Sequence, residues 1–244
     1  MRETQGISSD LHQRAFPRKM VRTFTMRPPV KQSVAGIEHV VIAIDPSGGG
    51  SSHFAVVSAW FREGLMGICG LESVHAKSPD VYASLLLKHC AMLRRAYPRA
   101  LFIICPEANL GFESSYINKI LQPVEFTVTM FEARSGVPGM HTTHQSKEVM
   151  HSLLLERLQD KSIAYAEPFI TTHTVEKIKQ KLNTQVSNYS IIVDVPDKMT
   201  QHFKFSKKTF GGKMHGNDDM CVMLQFNILA RKRFFGNAKY RAYF

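Results

Sequence analysis

Apolar runs separated by short polar stretches organise the first half of the chain. The run HVVIAID at residues 39–45 is β-branched and almost wholly apolar, which predicts a buried strand. Two more apolar runs, at residues 54–61 and 65–74, follow after short turns. Because antiparallel strands can be joined by short turns, the three runs predict an antiparallel meander.

The next segment has a helical pattern. Ser78 is a suitable N-cap and Pro79 a suitable first helical residue, while Pro98 marks the end. The apolar residues that recur at helical spacing between these limits, and that are expected to form the buried face, are Val81, Leu85, Met92 and Ala96. The sequence therefore predicts an amphipathic helix over residues 78–96.

Strands and helices alternate through the rest of the chain. The patterns predict strands at 100–107, 125–131, 162–167, 188–195 and 202–210, and helices at 113–121, 146–158 and 174–185. A last helix is predicted from an N-cap at Asn217, with a buried face of Met220, Met223, Leu224 and Ile228. A meander combined with crossover helices predicts an α/β fold, in which helices flank a sheet of mixed direction.

The chain has a basic excess that favours a polyanionic partner. Lys and Arg number 31 against 20 Asp and Glu, which gives a formal net charge of +11. Two stretches contain basic side chains interleaved with aromatic ones and no acid. They are residues 198–217, which end before Asp218, and residues 231–244. Such stretches are typical of nucleic-acid surfaces. A solvated basic face with a free tail explains them equally well.

Other bulk features predict a soluble, intracellular protein. No apolar run reaches the roughly 18 residues that a bilayer span requires, and the N-terminus lacks the apolar core of a secretory signal. The four cysteines are scattered and form no Cys-x-x-Cys pair, which favours a reducing compartment. Residues 1–36 are basic and weakly periodic, and are interpreted as an arm or as the remnant of a preceding segment.

Carboxylates mark the boundaries of three apolar elements. Asp45 ends the first strand, Glu107 ends the strand at 100–107, and Asp218 and Asp219 open the last helix. If the two strands are parallel neighbours, a right-handed crossover sets Asp45 beside Glu107, and a helix across the sheet could add Asp218. Each acid also has an ordinary explanation, as a turn residue, a loop acid or a helix N-terminal residue.

Converging carboxylates would repel one another unless a cation neutralised them. Oxygen ligands favour Mg²⁺ or Mn²⁺ over zinc, and a pair of such ions can promote the hydrolysis of a phosphodiester. The glycines at 48–50, close behind Asp45, would let a bulky anionic backbone approach. The residues alone thus suggest a site with two cations that acts on a phosphodiester.

The order strand-Asp, meander, helix, strand-Glu and helix-Asp resembles the ribonuclease H-like nuclease superfamily. The stretches VVIAIDPSGGGSSHFAVV, IICPEANLG, SGVPGMHTTHQSK and GGKMHGNDDMCVMLQFNI look like the nuclease domain of viral DNA-packaging terminase large subunits, especially of the herpesvirus type. The resemblance covers about residues 37 to 230. It implies a nuclease domain at 37–233, which a basic aromatic tail follows at 234–244.

The resemblance implies a role for each acid. Asp45, Glu107 and Asp218 would be catalytic metal ligands, and Asp219 would take part beside them. Asp45 would bridge two Mg²⁺ or Mn²⁺ ions, and hydrolysis by a metal-activated water would need no histidine base. The basic residues expected to contact DNA are Lys147, Lys204, Lys207, Lys208, Lys213, Arg231, Lys232 and Arg233.

The activity that the resemblance implies is a metal-dependent endonuclease that cuts concatemeric viral DNA during genome packaging. The expected partners are double-stranded DNA, an ATPase motor and other terminase or portal subunits, with no membrane. A herpesvirus-like protein would act in the host cell nucleus. The chain contains no Walker A loop, so the motor would be encoded elsewhere or the chain would be an isolated domain.

Three other interpretations stay open. A junction resolvase or transposase nuclease of the same superfamily would use the acids in the same roles on a different DNA. An actin-like or sugar-kinase ATPase would need a second Asp-x-Gly phosphate strand and a longer chain, neither of which is found. A non-catalytic DNA-binding or packaging-scaffold module would bind DNA without help from the acids.

Overall fold

The computed structural model describes residues 11–46, 53–75, 78–109, 111–131, 136–193, 208–211 and 218–236. The strands are β1 (Leu11–Arg14), β2 (Val30–Lys31), β3 (His39–Asp45), β4 (Phe54–Arg62), β5 (Leu65–Val74), β6 (Leu101–Pro106), β7 (Thr127–Thr129), β8 (Ile163–Ile170), β9 (Ser190–Val193) and β10 (Lys208–Gly211). The helices are α1 (Arg18–Met26), α2 (Pro79–Ala96), α3 (Gly111–Leu121), α4 (His144–Gln159), α5 (Val175–Asn188) and α6 (Asp219–Gly236), with a 3₁₀ turn at Val34–Gly36.

A seven-stranded sheet forms the centre of the molecule, in the order β2-β8-β5-β4-β3-β6-β7. β3, β4 and β5 pair antiparallel, which confirms the predicted meander. β3 and β6 pair parallel through the crossover that contains α2, and β5 pairs parallel with β8. The predicted α/β fold, with a mixed sheet flanked by helices, is confirmed.

Alternate strand residues enter two separate cores, because successive side chains point to opposite faces of a sheet. Val41 and Ala43 of β3 lie in the core that α1, α4, α5 and α6 cover. Val40, Ile42 and Ile44 lie in the core that α2 and α3 cover. We call these two sides the α6 face and the α2 face. β3 is buried on both, which explains its nearly continuous apolar sequence.

Helix α2 begins at Pro79 after Ser78, as predicted, but it buries a different face. Val81, predicted to be buried, is 49% exposed. The residues that α2 buries are Tyr82, Ala83, Leu86, His89, Cys90 and Leu93. The predicted stripe was displaced by about one position. Leu86 and Leu93, directly after the predicted Leu85 and Met92, are fully buried, whereas Leu85 and Ala96 pack only partly against the core.

Residues from 11 to 36 pack onto the rest of the fold. β1 pairs antiparallel with β9 in a second sheet of order β1-β9-β10. Val21 and Phe24 of α1 are buried in the core of the α6 face. β2 pairs with β8 at one edge of the large sheet. The predicted boundary near residue 36 therefore divides elements that contact each other.

The last predicted elements are found in part. α6 buries the four predicted residues Met220, Met223, Leu224 and Ile228. Its predicted N-cap, Asn217, lies outside the described residues, as do 202–207 of the predicted strand and the tail beyond Gly236. Within the described part of the chain, no helix has the length and apolar character needed to cross a bilayer.

Candidate active site

The ends of β3 and β6 bring Asp45 and Glu107 to one edge of the sheet. The two strands are parallel and in register up to Ile44, so the two acids form the next pair. The Glu107 N–H donates to the Ile44 carbonyl at 2.8 Å. Two residues before each acid, Ala43 and Cys105 lie in the core of the α6 face. By the strand alternation, both acids belong to that same face.

Helix α6 lies along this face and brings a third carboxylate. The Asn227 amide donates to the carbonyls of Val41 at 2.9 Å and Val57 at 2.8 Å, which anchors the helix on β3 and β4. Asp219 lies about 12 Å earlier along the helix axis, and its Oδ2 accepts the His53 N–H at 2.9 Å. Because His53 is about 13 Å from Val57 along the strand direction, α6 runs toward the edge that carries the other two acids.

Asp218 and Asp219 are both buried but face different neighbours. Asp219 contacts the backbone where β4 begins. Asp218 lies toward β10, since a Cβ added to Gly211 would be 3.3 Å from the Asp218 Oδ2. Burial raises the pKa of Tyr189 above its ordinary value, and Asp218 contributes to the same shift. The aspartate next to the β3–β4 connection is therefore Asp219, whereas the sequence analysis named Asp218 as a catalytic ligand with Asp219 beside it and could not rank the two.

Two polar residues orient Glu107. The Asn109 Nδ2 donates to the Glu107 Oε1 at 2.8 Å, and the Thr142 hydroxyl donates to the same oxygen. Asn109 and Thr142 also bind each other, because the Thr142 N–H donates to the Asn109 Oδ1 at 3.1 Å. The described residues thus fix the direction of this carboxylate through one of its two oxygens.

A short extended segment before α4 carries Thr142 to Glu107. Met140 forms a parallel bridge with Glu107, and its N–H donates to the Pro106 carbonyl at 3.0 Å. Gly139 has a φ of +97°, and a Cβ there would lie 2.0 Å from the Pro106 oxygen. Only glycine fits a left-handed position with such close backbone contact.

Helix α4 begins at the same edge. Thr143 and Ser146 form a capping box, in which the Thr143 hydroxyl accepts the Ser146 N–H at 3.1 Å. The helix N-terminus follows directly after Thr142, and its free N–H groups favour negative charge nearby. Lys147, one of the predicted DNA contacts, lies in this first turn and is partly exposed. Lys147 thus belongs to the helix that begins directly after Thr142, the partner of Glu107.

Lys181 of α5 adds a partly buried cation on the other side of Asp219. Its Nζ donates to the Ser73 hydroxyl at 2.8 Å. Burial lowers the pKa of Lys181, and the charge of Asp219 opposes that shift. Burial also lowers the pKa of His53, and Lys181 and His75 lower it further. A positive charge and an imidazole that favours its neutral form thus lie beside the third acid.

Three other predicted DNA contacts are distant from this edge. They lie near the C-terminal end of α6: Arg231, Lys232 and Arg233. At 1.5 Å per residue, they begin about 18 Å from Asp219 along the helix axis. The Phe235 ring packs against His39 at the start of β3, with 5.0 Å between centroids, so this end of α6 is at the opposite edge. Lys208 opens β10, whereas Lys204, Lys207, Lys213 and the glycines at 48–50 lie outside the described residues.

The acids at this edge fit a hard divalent cation in chemical type, because Mg²⁺ and Mn²⁺ prefer carboxylate oxygens. Within the described ranges, however, no three His, Cys, Asp or Glu side chains form a group that could hold a metal ion. Mg²⁺ commonly takes one or two carboxylates and completes its shell with waters and substrate phosphates. The arrangement suits that kind of open site rather than a closed protein cage.

Sequence patterns missed four residues of this region: Asn109, Thr142, His53 and Lys181. His53 holds Asp219 through its backbone N–H. Thr142 reaches Glu107 across a separation of 35 residues. No local pattern predicts such a contact, since it depends on the path of the intervening chain.

In sequence, no family model and no curated protein matches the chain. In structure, it is similar to a human cytomegalovirus terminase nuclease domain soaked with Mn, with a TM-score of 0.63, 12% identity, and coverage of 93% of this chain and 100% of that one. The inhibitor-bound, Mn-soaked form of that domain has a TM-score of 0.63 and 12% identity, with coverage of 90% of this chain and 94% of that one. A mutant gp2c of the large terminase subunit from bacteriophage Sf6, with calcium, has a TM-score of 0.50 and 12% identity, with coverage of 88% of this chain and 99% of that one. The expected resemblance is confirmed at the level of the fold, which is that of ribonuclease H-like terminase nuclease domains.

Proposed function

We propose that this chain is a metal-dependent endonuclease that cuts concatemeric viral DNA during genome packaging. The observation that carries the proposal is that Asp45, Glu107 and Asp219 come to one edge of the sheet, within a fold shared with terminase nuclease domains. The Mn soak of the cytomegalovirus domain and the calcium in the Sf6 protein support a divalent cation as cofactor.

In this proposal, Asp45, Glu107 and Asp219 hold two Mg²⁺ or Mn²⁺ ions, and Asp218 assists from the side of β10. When bound, the ions supply the Lewis-acid chemistry for in-line hydrolysis of a phosphodiester. Every other contribution comes from the chain itself. A metal-activated water would need no histidine base.

The chain's own contribution is orientation and charge. Thr142 and Asn109 direct Glu107, and the His53 N–H directs Asp219. The N-termini of α4 and α6 both lie at this edge, where the positive ends of the two helix dipoles favour a bound phosphate. These features hold the carboxylates in place before substrate arrives, which lowers the cost of assembling the reactive geometry.

Double-stranded DNA is the proposed substrate, with an ATPase motor and other terminase or portal subunits as partners. The Sf6 neighbour, which comes from a large terminase subunit, supports that context. A herpesvirus-like protein would act in the host cell nucleus. Other nucleases of the same fold would use the acids in the same way, so the choice of DNA is the finer part of the proposal.

The test is cleavage of supercoiled plasmid by the purified chain with Mn²⁺, Mg²⁺ or EDTA. We expect nicking and linearisation with either metal and none with EDTA. Asp219→Asn should abolish cleavage, and Asp218→Asn should reduce it less, because Asp219 is the residue beside the β3–β4 connection. Circular dichroism confirms that each variant is folded. A folded wild type that binds plasmid but never cuts it, with any of these metals, would overturn the nuclease assignment.

A further inference from the structure

An open depression of about 460 Å³ lies next to the candidate active site. It is lined by His53, Lys177, Gln180, Lys181, Thr184 and Gln185, all but the first from helix α5. Among the described residues, this lining contains two lysines, two amides, a hydroxyl and an imidazole, and no carboxylate. Its two ammonium groups and its other hydrogen-bond donors can bind an anion.

Three contacts join this groove to the acids. His53, which lines the groove, donates its N–H to Asp219 at 2.9 Å. Gln185, at the other side of the groove, accepts the Cys221 N–H at 3.1 Å, two residues after Asp219. Lys181 is bound to Ser73 at 2.8 Å, on the strand next to β4. The groove therefore continues directly from the carboxylate edge.

We propose that the α5 groove binds the phosphate backbone of the DNA strand that enters the active site, through direct contacts of Lys177 and Lys181. This inference rests on the proposed nuclease function, since it names the surface that holds the same substrate. Lys177 and Lys181 are one helical turn apart, about 6 Å along the axis. Two ammonium groups at this spacing can bind neighbouring phosphates of one strand.

The two lysines differ in exposure and in how far their side chains are ordered before DNA binds. Lys177 is exposed and can follow a mobile phosphate. Lys181 is partly buried and is held by the Ser73 hydroxyl. Since its ammonium is already ordered, little further conformational entropy is lost when a phosphate binds.

This surface is distinct from the basic stretches that the sequence indicated. Arg231 lies at the other end of α6, about 18 Å from the acids. A phosphate on Lys181, in contrast, would already be beside Asp219. The groove therefore fits the strand being cut, whereas the distant arginine fits at most a neighbouring part of the duplex.

The experiment compares DNA binding by full-length variants in EDTA, where no strand is cut. The test variant is Lys177→Gln with Lys181→Gln. The charge-matched control is Lys88→Gln with Arg95→Gln, two exposed residues of α2 on the opposite face of the sheet. Affinity for a short fluorescein-labelled duplex is measured by anisotropy at several salt concentrations. Each lost phosphate contact removes about 0.9 from the slope of log K against log salt.

We expect the slope to fall by about two for the α5 variant and to stay at the wild-type value for the α2 control. Lys177→Gln alone, at an exposed position, should lower the slope by about one and guards against misfolding of the double variant. A photo-crosslinking amino acid at exposed Gln180 should label the duplex, whereas the same group at Lys88 should not.

Equal slopes for the α5 and α2 variants, with no crosslink from Gln180, would overturn the assignment of the groove as a DNA-binding surface. This outcome can be distinguished from a failure of the nuclease assignment. If plasmid is cut with Mn²⁺ while the α5 variant binds like its control, the groove assignment is wrong and the nuclease stands. If the slope falls as expected but plasmid is never cut, the groove stands as a DNA-binding surface and the nuclease assignment fails.

Discussion

Two groups of acidic residues lie on opposite faces of the same sheet and are treated differently by the fold. On the α2 face, Glu72 is fully buried. Its Oε1 binds the His89 Nδ1 at 3.0 Å and accepts the Thr172 N–H at 2.7 Å. Its Oε2 accepts the Thr172 hydroxyl at 2.6 Å and lies 3.3 Å from the His173 Nε2. Protein groups thus satisfy both oxygens.

The network continues to Ser58, whose hydroxyl lies 2.9 Å from the His89 Nε2. Serine, histidine and glutamate are therefore in line, as in a hydrolase triad. Ser58, His89 and Glu72 are all 0% exposed, so no substrate reaches them. The arrangement binds β4, β5, α2 and the connection before α5 to one another, and its role is structural.

The carboxylates on the α6 face are placed at the end of the sheet instead of its middle. Asp45 and Glu107 are partly exposed, at the ends of neighbouring parallel strands. Crevices at the carboxyl ends of parallel strands are where α/β sheets bind ligands. The comparison teaches that an acid in an apolar strand is not by itself a functional signal. What separates Glu72 from Asp45 and Glu107 is its full burial among protein partners, whereas the two acids at the strand ends are partly exposed.

The largest expected effect is on cleavage. Asp45→Asn and Glu107→Gln should each lower plasmid cleavage by at least about 10³-fold, because several kcal/mol of charge stabilisation are lost. Both variants should keep the wild-type free energy of unfolding without metal, since neutralising one acid relieves repulsion among them. Cleavage rates and urea unfolding measure the two effects. If either variant loses stability as well as cleavage, the acids at the strand ends would be structural like Glu72, and the contrast between the two faces would be wrong.

The matching change on the α2 face should act on stability. Glu72→Ala leaves His89 and Thr172 without their buried partner, and we expect a loss of about 3–5 kcal/mol in the free energy of unfolding. Glu148→Ala, at an exposed position of α4, is the control and should change it by less than about 0.5 kcal/mol. Urea denaturation followed by circular dichroism checks both. A stability loss as small as that of the control would mean that the buried network contributes little.

Added metal should stabilise the folded protein through the acids at the strand ends and not through Glu72. At about 100 times its dissociation constant, Mn²⁺ should add about 2.7 kcal/mol to the free energy of unfolding. Asp45→Asn should abolish this gain, whereas the less stable Glu72→Gln variant should still show it. Thermal unfolding with Mn²⁺, Ca²⁺ or EDTA provides the readout without any cleavage. An equal gain in wild type and Asp45→Asn would place the metal elsewhere.

The smallest expected effect concerns the residues that orient Glu107. Thr142→Val removes the hydroxyl that donates to Glu107 and should cost about 10–100-fold in metal affinity or cleavage, as for other partners of metal ligands. Thr142→Ser keeps the hydroxyl and should behave like wild type. Metal titrations followed by thermal unfolding measure the metal affinity, and plasmid cleavage at saturating metal measures the rate. If both variants behave alike, the methyl group matters and the hydrogen bond does not.

Much of the fold follows from local patterns. The runs at 39–45, 54–61 and 65–74 predict their strands because β-branched, apolar residues bounded by turns have few other stable conformations. The face of α2 was mispredicted, since Tyr82 and His89 belong to the core only through partners from distant strands. The packing of residues 11–36 was not predicted because its burial depends on α4, α5 and β8.

The candidate site was predicted in outline and not in detail. Asp45 and Glu107 could be paired in advance, since the right-handed crossover rule fixes how two parallel strands are connected. The choice between Asp218 and Asp219 could not, because adjacent residues at a helix start have equal local signals. Only the contact with His53 distinguishes them.

By itself, the sequence determined the elements, the strands of the meander and the acids at their ends, because these depend on propensity and periodicity over short distances. Only the tertiary structure decided which carboxylates share an edge with Lys181 and Thr142, and which one, Glu72, is balanced internally. Those outcomes depend on contacts between residues far apart in the chain. Such contacts are set by how α5 and α6 pack on the sheet, and packing has no local sequence signal.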